Sequence, residues 1–302
     1  MIIAIAGFGD LTRYVLEEFP IAGHQVVILT RSLKPLLHHP AVCQRVTDYS
    51  DESLDEALAD CEALISTIVD LSQSYVDVHL KLLSACQRSK QCKKFIPSEF
   101  TGNARDFPDQ PAYFRHFNAT VREALRRQNE VQWTIVCVGF FADYIVPAQN
   151  RYIRDMREGS LINYNVKEIL VPNSLTDTID MTSARDVIRG LAALVRAPEW
   201  DQFTFMSGEK TSWENIAKLI HRRHPDFVAR VKTLNQIIDL LAPGNSDDDI
   251  LFAQLLLYSA SGAATCPEQA VSQQRKKLFG TVTFRSLEDL LSAVEQDPQI
   301  IV

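Results

Sequence analysis

No stretch of this 302-residue chain is apolar for long enough to cross a bilayer. The longest lipid-like run, Ile250 to Tyr258, is interrupted by Gln254 and falls far short of the roughly 20 residues that a spanning helix needs. An excess of positive charge is also missing. Lys and Arg number 31 against 38 Asp and Glu, a net charge of −7, so no global basic field steers the chain onto nucleic acid or an anionic membrane. The one dense basic run, Arg88 to Lys94, precedes an apolar run and reads as a solvated helix end. Gly (11) and Pro (13) are too few for a low-complexity linker. The 46% apolar and 23% charged fractions exclude disorder, collagen and coiled coil.

Cysteine pairing signals are absent. The six cysteines, at 43, 61, 86, 92, 137 and 266, show no CxxC and no regular spacing. No basic segment precedes the apolar start Met1-Ile2-Ile3-Ala4. The cysteines therefore read as reduced, mostly buried thiols, the start as a first buried strand, and the cytosol as the expected compartment. GxxxxGK[ST], GxSxG and HExxH are all missing. His221 and His224 sit beside Arg222 and Arg223 with no carboxylate, which suits a solvated face and not a metal. His38-His39 is equally bland, and the carboxylates between 51 and 62 read as a wet helix face.

Short apolar runs alternating with amphipathic stretches fill the first 140 residues. Ile2–Ala6, Gln25–Thr30, Ala63–Ile68, Lys94–Ile96 and Trp133–Val138 have strand length and continuous apolar character. Residues 12–19, 53–59, 73–88 and 120–127 carry helical spacing. Continuous apolar strands separated by helices predict a parallel sheet covered on both faces, the doubly wound α/β class. Further on, 187–195 and 284–294 read as helices and 202–206 as a strand. Thr211-Ser-Trp-Glu214 reads as a capping box ahead of a helix at 216–221, and 226–265 carries more helices around a break at 243–249. The expected organisation is a dinucleotide-binding domain over 1–150 and a smaller, partly interleaved substrate domain over 151–302. Segments around 183–208 are expected to return to the first sheet.

The strongest local signal is Gly7-Phe8-Gly9-Asp10-Leu11-Thr12, which follows a strand and opens a helix. A dinucleotide site needs that context. Gly7 permits the tight turn, Gly9 lets backbone approach the pyrophosphate, and the helix N-terminus offers free N–H groups. The third glycine of the fingerprint is replaced by Thr12, which is small enough to be tolerated or can offer its hydroxyl to a phosphate. The second strand ends in Thr30-Arg31-Ser32-Leu33-Lys34 with no carboxylate. Arg31 can stack on adenine and pair with a 2′-phosphate, with Ser32 and Lys34 adding contacts, so NADP(H) is favoured over NAD.

These pieces, together with Phe95-Ile-Pro-Ser98-Glu99-Phe100-Thr-Gly102, Gly139-Phe140-Phe141-Ala-Asp143-Tyr144 and Ser183-Ala-Arg185-Asp186-Val187, resemble the NmrA-like / isoflavone reductase-like proteins. Those are atypical short-chain dehydrogenase/reductases, and the likeness is greatest to fungal members. The resemblance implies a Rossmann domain, NADPH and a small substrate domain over the nicotinamide. It adds Asp10, Leu11, Thr67, Ser98, Phe100 and Gly139 to the expected cofactor contacts, and Phe140, Phe141, Asp143 and Tyr144 to the expected substrate contacts. Reductases of the family carry a lysine shortly before a Val-Arg pair. Here Asn118 stands in that slot ahead of Val121-Arg122, and an amide cannot serve as a general acid. The Tyr-x-x-x-Lys pair of ordinary short-chain reductases is missing too, because Tyr113 is followed at that spacing by Phe117. His116 and Tyr113 are the remaining candidate proton donors.

Three functions follow as expectations. The first is an NADPH-dependent reductase of a small, largely apolar or aromatic metabolite. The second is a dinucleotide-sensing regulator without catalysis, for which a well-formed apolar cavity beside the cofactor site would be adverse. The third is a non-redox isomerase, cyclase or dehydratase on the same scaffold. The expected partner in the first and third cases is a small molecule, and the sequence is silent on oligomeric state.

Overall fold

A computed structural model of the chain describes residues 1–35, 39–155 and 161–302. Ile2–Ala6 (β1), Gln25–Thr30 (β2), Val42–Val46 (β3), Ala63–Ser66 (β4), Lys94–Ile96 (β5) and Gln132–Trp133 (β6) form one parallel sheet in the order β3-β2-β1-β4-β5-β6. Asp10–Ile21 (α1), Asp51–Ala57 (α2), Gln73–Arg88 (α3) and Arg115–Arg126 (α4) connect the strands. Alternation along β1 explains the two covered faces. Ile3 and Ile5 pack with Tyr14 and Leu191 in one apolar cluster, while Ala4 and Ala6 join Tyr75, Leu82 and Leu125 in another.

The last expected strand of this half is broken. It consists of β6 and Ile135–Cys137 (β7), split at Thr134, whose hydroxyl lies 2.8 Å from that of Thr204. The edge strand β3 carries no apolar alternation to announce it; its Arg45 pairs with Asp60 at 2.6 Å.

The second half comprises Phe140–Phe141 (β8), Ile162–Asn163 (β9), Glu168–Pro172 (β10), Thr178–Thr182 (β11), Ala184–Leu194 (α5), Phe203–Phe205 (β12), Glu209–Ser212 (β13), Trp213–Arg223 (α6), Val228–Lys232 (β14), Leu234–Asp239 (α7), Asp247–Ala260 (α8), Glu268–Leu278 (α9) and Leu287–Gln296 (α10). β12 pairs parallel with β7, Phe203 opposite Ile135. α5 packs on α1, so both return to the first half of the chain. β11 lies between β8 and β13, and β10 between β9 and β14. A third apolar cluster gathers Phe140, Ile179, Trp213, Leu256 and Leu290. The cap of α6 is Ser212, one residue later than the sequence pattern indicates; its hydroxyl accepts from the Asn215 N–H.

Cys43 is exposed and the other five cysteines are buried and free. Among the described residues no helix is long and apolar enough to cross a membrane. No group of three His, Cys, Asp or Glu among them could hold a metal ion. His224 instead packs its ring 5.6 Å from Phe227 and 5.7 Å from Tyr164. His38 lies outside the described residues.

Candidate active site

The chain leaves β1 for β2 on one side and later returns to place β4 on the other, which makes the C-terminal ends of β1 and β4 a topological switch point. The glycine loop sits there. Gly7 has φ +107°, and a Cβ on it would come within 3.0 Å of Thr67 Oγ1 and Ile68 Cγ1, so only glycine fits. Gly9 caps α1 without a side chain, which leaves the first helical N–H groups open to an anion.

Thr12 is fully buried, with its hydroxyl 2.9 Å from Thr67 Oγ1 and 3.3 Å from the Gly7 carbonyl. Of its two expected roles the geometry matches the packing one, since the hydroxyl is engaged inside the loop. Asp10 accepts from the backbone N–H of Arg154 at 3.0 Å and pairs with its guanidinium at 2.9 Å. A carboxylate in the first turn of α1 is thereby partly neutralised. At the end of β2, Arg31, Ser32 and Lys34 are all exposed, and the Arg31 guanidinium stands 5.8 Å from the centre of the Tyr49 ring.

Beside the loop opens a cavity of about 380 Å³. Leu11 comes from the start of α1, and Val69 and Leu71 from beyond β4. Those last two are apolar yet 72% and 49% exposed, which marks the mouth as a surface suited to a ligand. Ser98, Phe100 and Thr101 follow β5. Tyr113 and Asn118 lie at the entry to α4, and Phe140, Phe141 and Tyr144 follow β7. Leu251, Phe252, Leu255 and Tyr258 of α8 close the far wall. Gly139 anchors the aromatic wall with φ +72°, and a Cβ there would strike the Asp180 carbonyl at 2.1 Å. The Tyr258 hydroxyl donates to the Gly139 carbonyl at 3.0 Å, and its ring stands 5.1 Å from Phe140.

Below the cavity the Ser98–Glu99 segment is held by helices. The Ser98 N–H donates to His79 Nε2 at 3.2 Å, and the Ser98 carbonyl accepts from the Tyr75 hydroxyl at 3.1 Å. Because Nε2 accepts, His79 Nδ1 carries the proton and donates to the Tyr75 carbonyl at 2.7 Å. Burial drops the His79 pKa to about 4 against the opposing pull of that carbonyl, which keeps the ring neutral. Glu99 is buried against Arg122, whose Nε donates to Oε2 at 2.9 Å and whose Nη1 reaches the Pro108 carbonyl at 2.7 Å. Burial pushes the Glu99 carboxyl up, and the guanidinium counters it.

The expected site residues divide clearly. Asn118 is 3% exposed and lines the cavity, and among the described residues its carboxamide has no hydrogen-bond partner. Tyr113 lines it as well, with no partner for its hydroxyl among the described residues, and burial raises its pKa. His116 is exposed and away from the lining, so it is not placed to give a proton there. Asp143 also stands outside the cavity. It is fully buried and accepts from the Tyr14 hydroxyl and the Ala184 N–H, each at 2.7 Å, tying α1 to α5. Its neighbours Phe141 and Tyr144 reach the cavity because the short 3₁₀ turn Ala142–Ile145 points Asp143 the opposite way. The α8 wall, Thr101 and the His79–Tyr75 support escape sequence reading. The sole signal for α8 is a run that is apolar around nearly its whole circumference, more than one buried face needs.

A model of the NmrA-like family matches residues 1–290. The chain is 43% identical over 305 residues to Oxidoreductase swnR of Arthroderma benhamiae, covering 100% of both chains. It is 24% identical over 310 residues to Phenylcoumaran benzylic ether reductase 1 of Arabidopsis thaliana, covering 96% of this chain and 97% of that one. Among solved structures it is similar to AtPrR2 with NADP+ and (+)pinoresinol, at TM-score 0.76 and 13% identity with 97% of each chain covered. It is also similar to isoflavone reductase, at TM-score 0.75 and 15% identity, covering 97% of this chain and 99% of that one.

Proposed function

The chain belongs to the NmrA-like family, and from that premise we propose that it is an NADPH-dependent oxidoreductase that reduces a small, largely apolar molecule. The observation that carries this reading is the apolar cavity of about 380 Å³ that shares Leu11 with the glycine loop. A ligand there would lie against the switch-point ends of the strands, where α/β sheets bind their ligands. The same cavity speaks against a sensor without a second ligand. The solved structures of similar fold include NADP-bound reductases, among them AtPrR2 with NADP+ and (+)pinoresinol.

The residues present fit the dinucleotide. Gly7 lacks room for a Cβ, Gly9 leaves the start of α1 uncapped, and the end of β2 offers Arg31, Ser32 and Lys34 with no acid. The pyrophosphate would rest on Gly9, Asp10 and Leu11, and the 2′-phosphate against Arg31, with Thr67, Ser98, Phe100 and Gly139 along the nicotinamide half. NADPH supplies hydride when bound. The chain supplies a dry apolar wall from Phe140, Phe141 and Tyr144, and a proton from Tyr113. Burial keeps that phenol protonated, and among the described residues it is the cavity's one candidate acid without a protein partner.

Fluorescence titration with NADPH and NADH tests the cofactor half. NADPH binds more tightly, and Arg31→Ala weakens NADPH by at least about tenfold and NADH by less, since only the 2′-phosphate contact is specific to NADPH. Absence of binding by either nucleotide overturns the reading. NADPH oxidation across enones, lactones and aromatic ketones tests the rest, and binding without oxidation of any of them sinks it. One observation favours a second reading, a non-redox isomerase or cyclase: Asn118 brings neither charge nor acidity to the cavity. That enzyme would turn over equally well with NADP+ in place of NADPH.

A further inference from the structure

Polar groups around the cavity fall into two sets. Those turned away from it are paired: Glu99 with Arg122, the Tyr258 hydroxyl with the Gly139 carbonyl, both Ser98 backbone groups with α3. One lining side chain is not. The Asn118 carboxamide is 3% exposed and has no partner among the described residues. Thr101 Oγ1 is also unpartnered, but the atom is enclosed by protein and is not open to the cavity. Asn118 lines the cavity. Folded proteins leave few buried polar groups unpaired, and each such group calls for a specific cause.

We infer that Asn118 is a recognition edge for an amide-like group on the ligand, a lactam or carboxamide that offers a donor and an acceptor side by side. The inference rests on the cavity being a substrate site, as proposed above, and not on the identity of the cofactor. A carboxamide presents N–H donors and a carbonyl acceptor in one plane, so its best complement is another amide in the reverse sense. Among the described residues the cavity lining includes no Lys, Arg or His, and its one carboxylate, Glu99, is taken by Arg122. A carboxylate or phosphate on the ligand would find no counter-charge there. The remaining wall is aliphatic and aromatic, and about 380 Å³ admits a two-ring skeleton.

Calorimetric titration of the purified full chain with carbostyril, a two-ring lactam, and with N-methylcarbostyril, which lacks the donor, tests this. Carbostyril binds at least about tenfold more tightly than its N-methyl analogue, and Asn118→Leu removes the difference. Two further readouts accompany the titration. The ligand-free Asn118→Leu variant melts at a higher temperature than the parent, because an unpaired polar group has left an apolar wall. Its NADPH affinity is unchanged.

Failure of carbostyril to bind, equal binding of the two compounds, or discrimination that persists in the variant overturns the inference. So does a lower melting temperature, which would mean that the amide was already paired. Loss of NADPH affinity in the variant overturns it too, by assigning the amide to the cofactor. Lactam discrimination in a chain that binds no NADPH would leave this edge standing and remove the cofactor reading alone.

Discussion

The segment that follows β5 presents two opposite surfaces. Toward α3 and α4 it is saturated: His79, Tyr75 and Arg122 satisfy the Ser98 backbone and the Glu99 carboxylate with bonds of 2.9 to 3.2 Å. Toward the cavity, Asn118 and Tyr113 hold polar atoms with no protein partner among the described residues. The first surface holds the segment in place, and the second leaves polar atoms without a protein partner. A binding site differs from a core by leaving polar groups unpaired where a ligand will pair them, on walls that cannot move.

Substitutions of opposite sign break or sharpen this contrast. The largest effect belongs to Arg122→Met, which strands the buried Glu99 carboxylate. Urea denaturation should show a loss of about 3–5 kcal/mol, most of it recovered in the double variant Glu99→Gln/Arg122→Met. Next comes His79. Its folded pKa of about 4 lies below the ordinary 6.5, so the unfolded chain takes the proton first. Its contribution is complete above pH 6.5 and drains away as pH falls toward 4. In His79→Gln, which keeps an acceptor for the Ser98 N–H, this part of the pH dependence disappears. A slope unchanged in the variant would reject His79 as its source.

On the cavity side, Tyr113→Phe should lower the single-turnover rate about 100-fold, or about 2.7 kcal/mol. Folding stability should shift by less than about 0.5 kcal/mol, since no protein group loses a bond. Smallest and opposite in sign, Asn118→Leu should stabilise the ligand-free chain by about 1 kcal/mol. A destabilised Asn118→Leu would erase the distinction between the two surfaces.

Sequence and structure agree where information is local. The α3 and β5 ranges match the periodicity residue for residue, because a 16-residue amphipathic helix with a Ser72 cap and a short apolar strand ended by Pro97 carry their own signals. α4 begins at Arg115, five residues before its pattern does, because its first turn has no capping side chain and opens with the exposed Arg115 and His116. β3 escapes notice because an edge strand need not alternate. Of the candidate site, the glycine loop and the cavity-lining Asn118 and Tyr113 are named from the sequence. His116 and Asp143, expected beside them, stand outside the cavity lining, since motif proximity does not reveal which way a side chain turns.

The sequence alone therefore determines the alternating architecture and the glycine loop between β1 and α1, both of which depend on spacing of a few residues, while Asn118 in the lysine slot is what the family resemblance implies. Tertiary structure alone decides which polar groups are spent and which are free. Tyr14 reaches Asp143 across 129 positions and Tyr258 reaches Gly139 across 119, while nothing reaches the Asn118 amide among the described residues. Pairing over such separations depends on how the sheet is wound and where α8 comes to rest. No local pattern encodes it, because a buried hydrogen bond is a property of two distant elements brought into register.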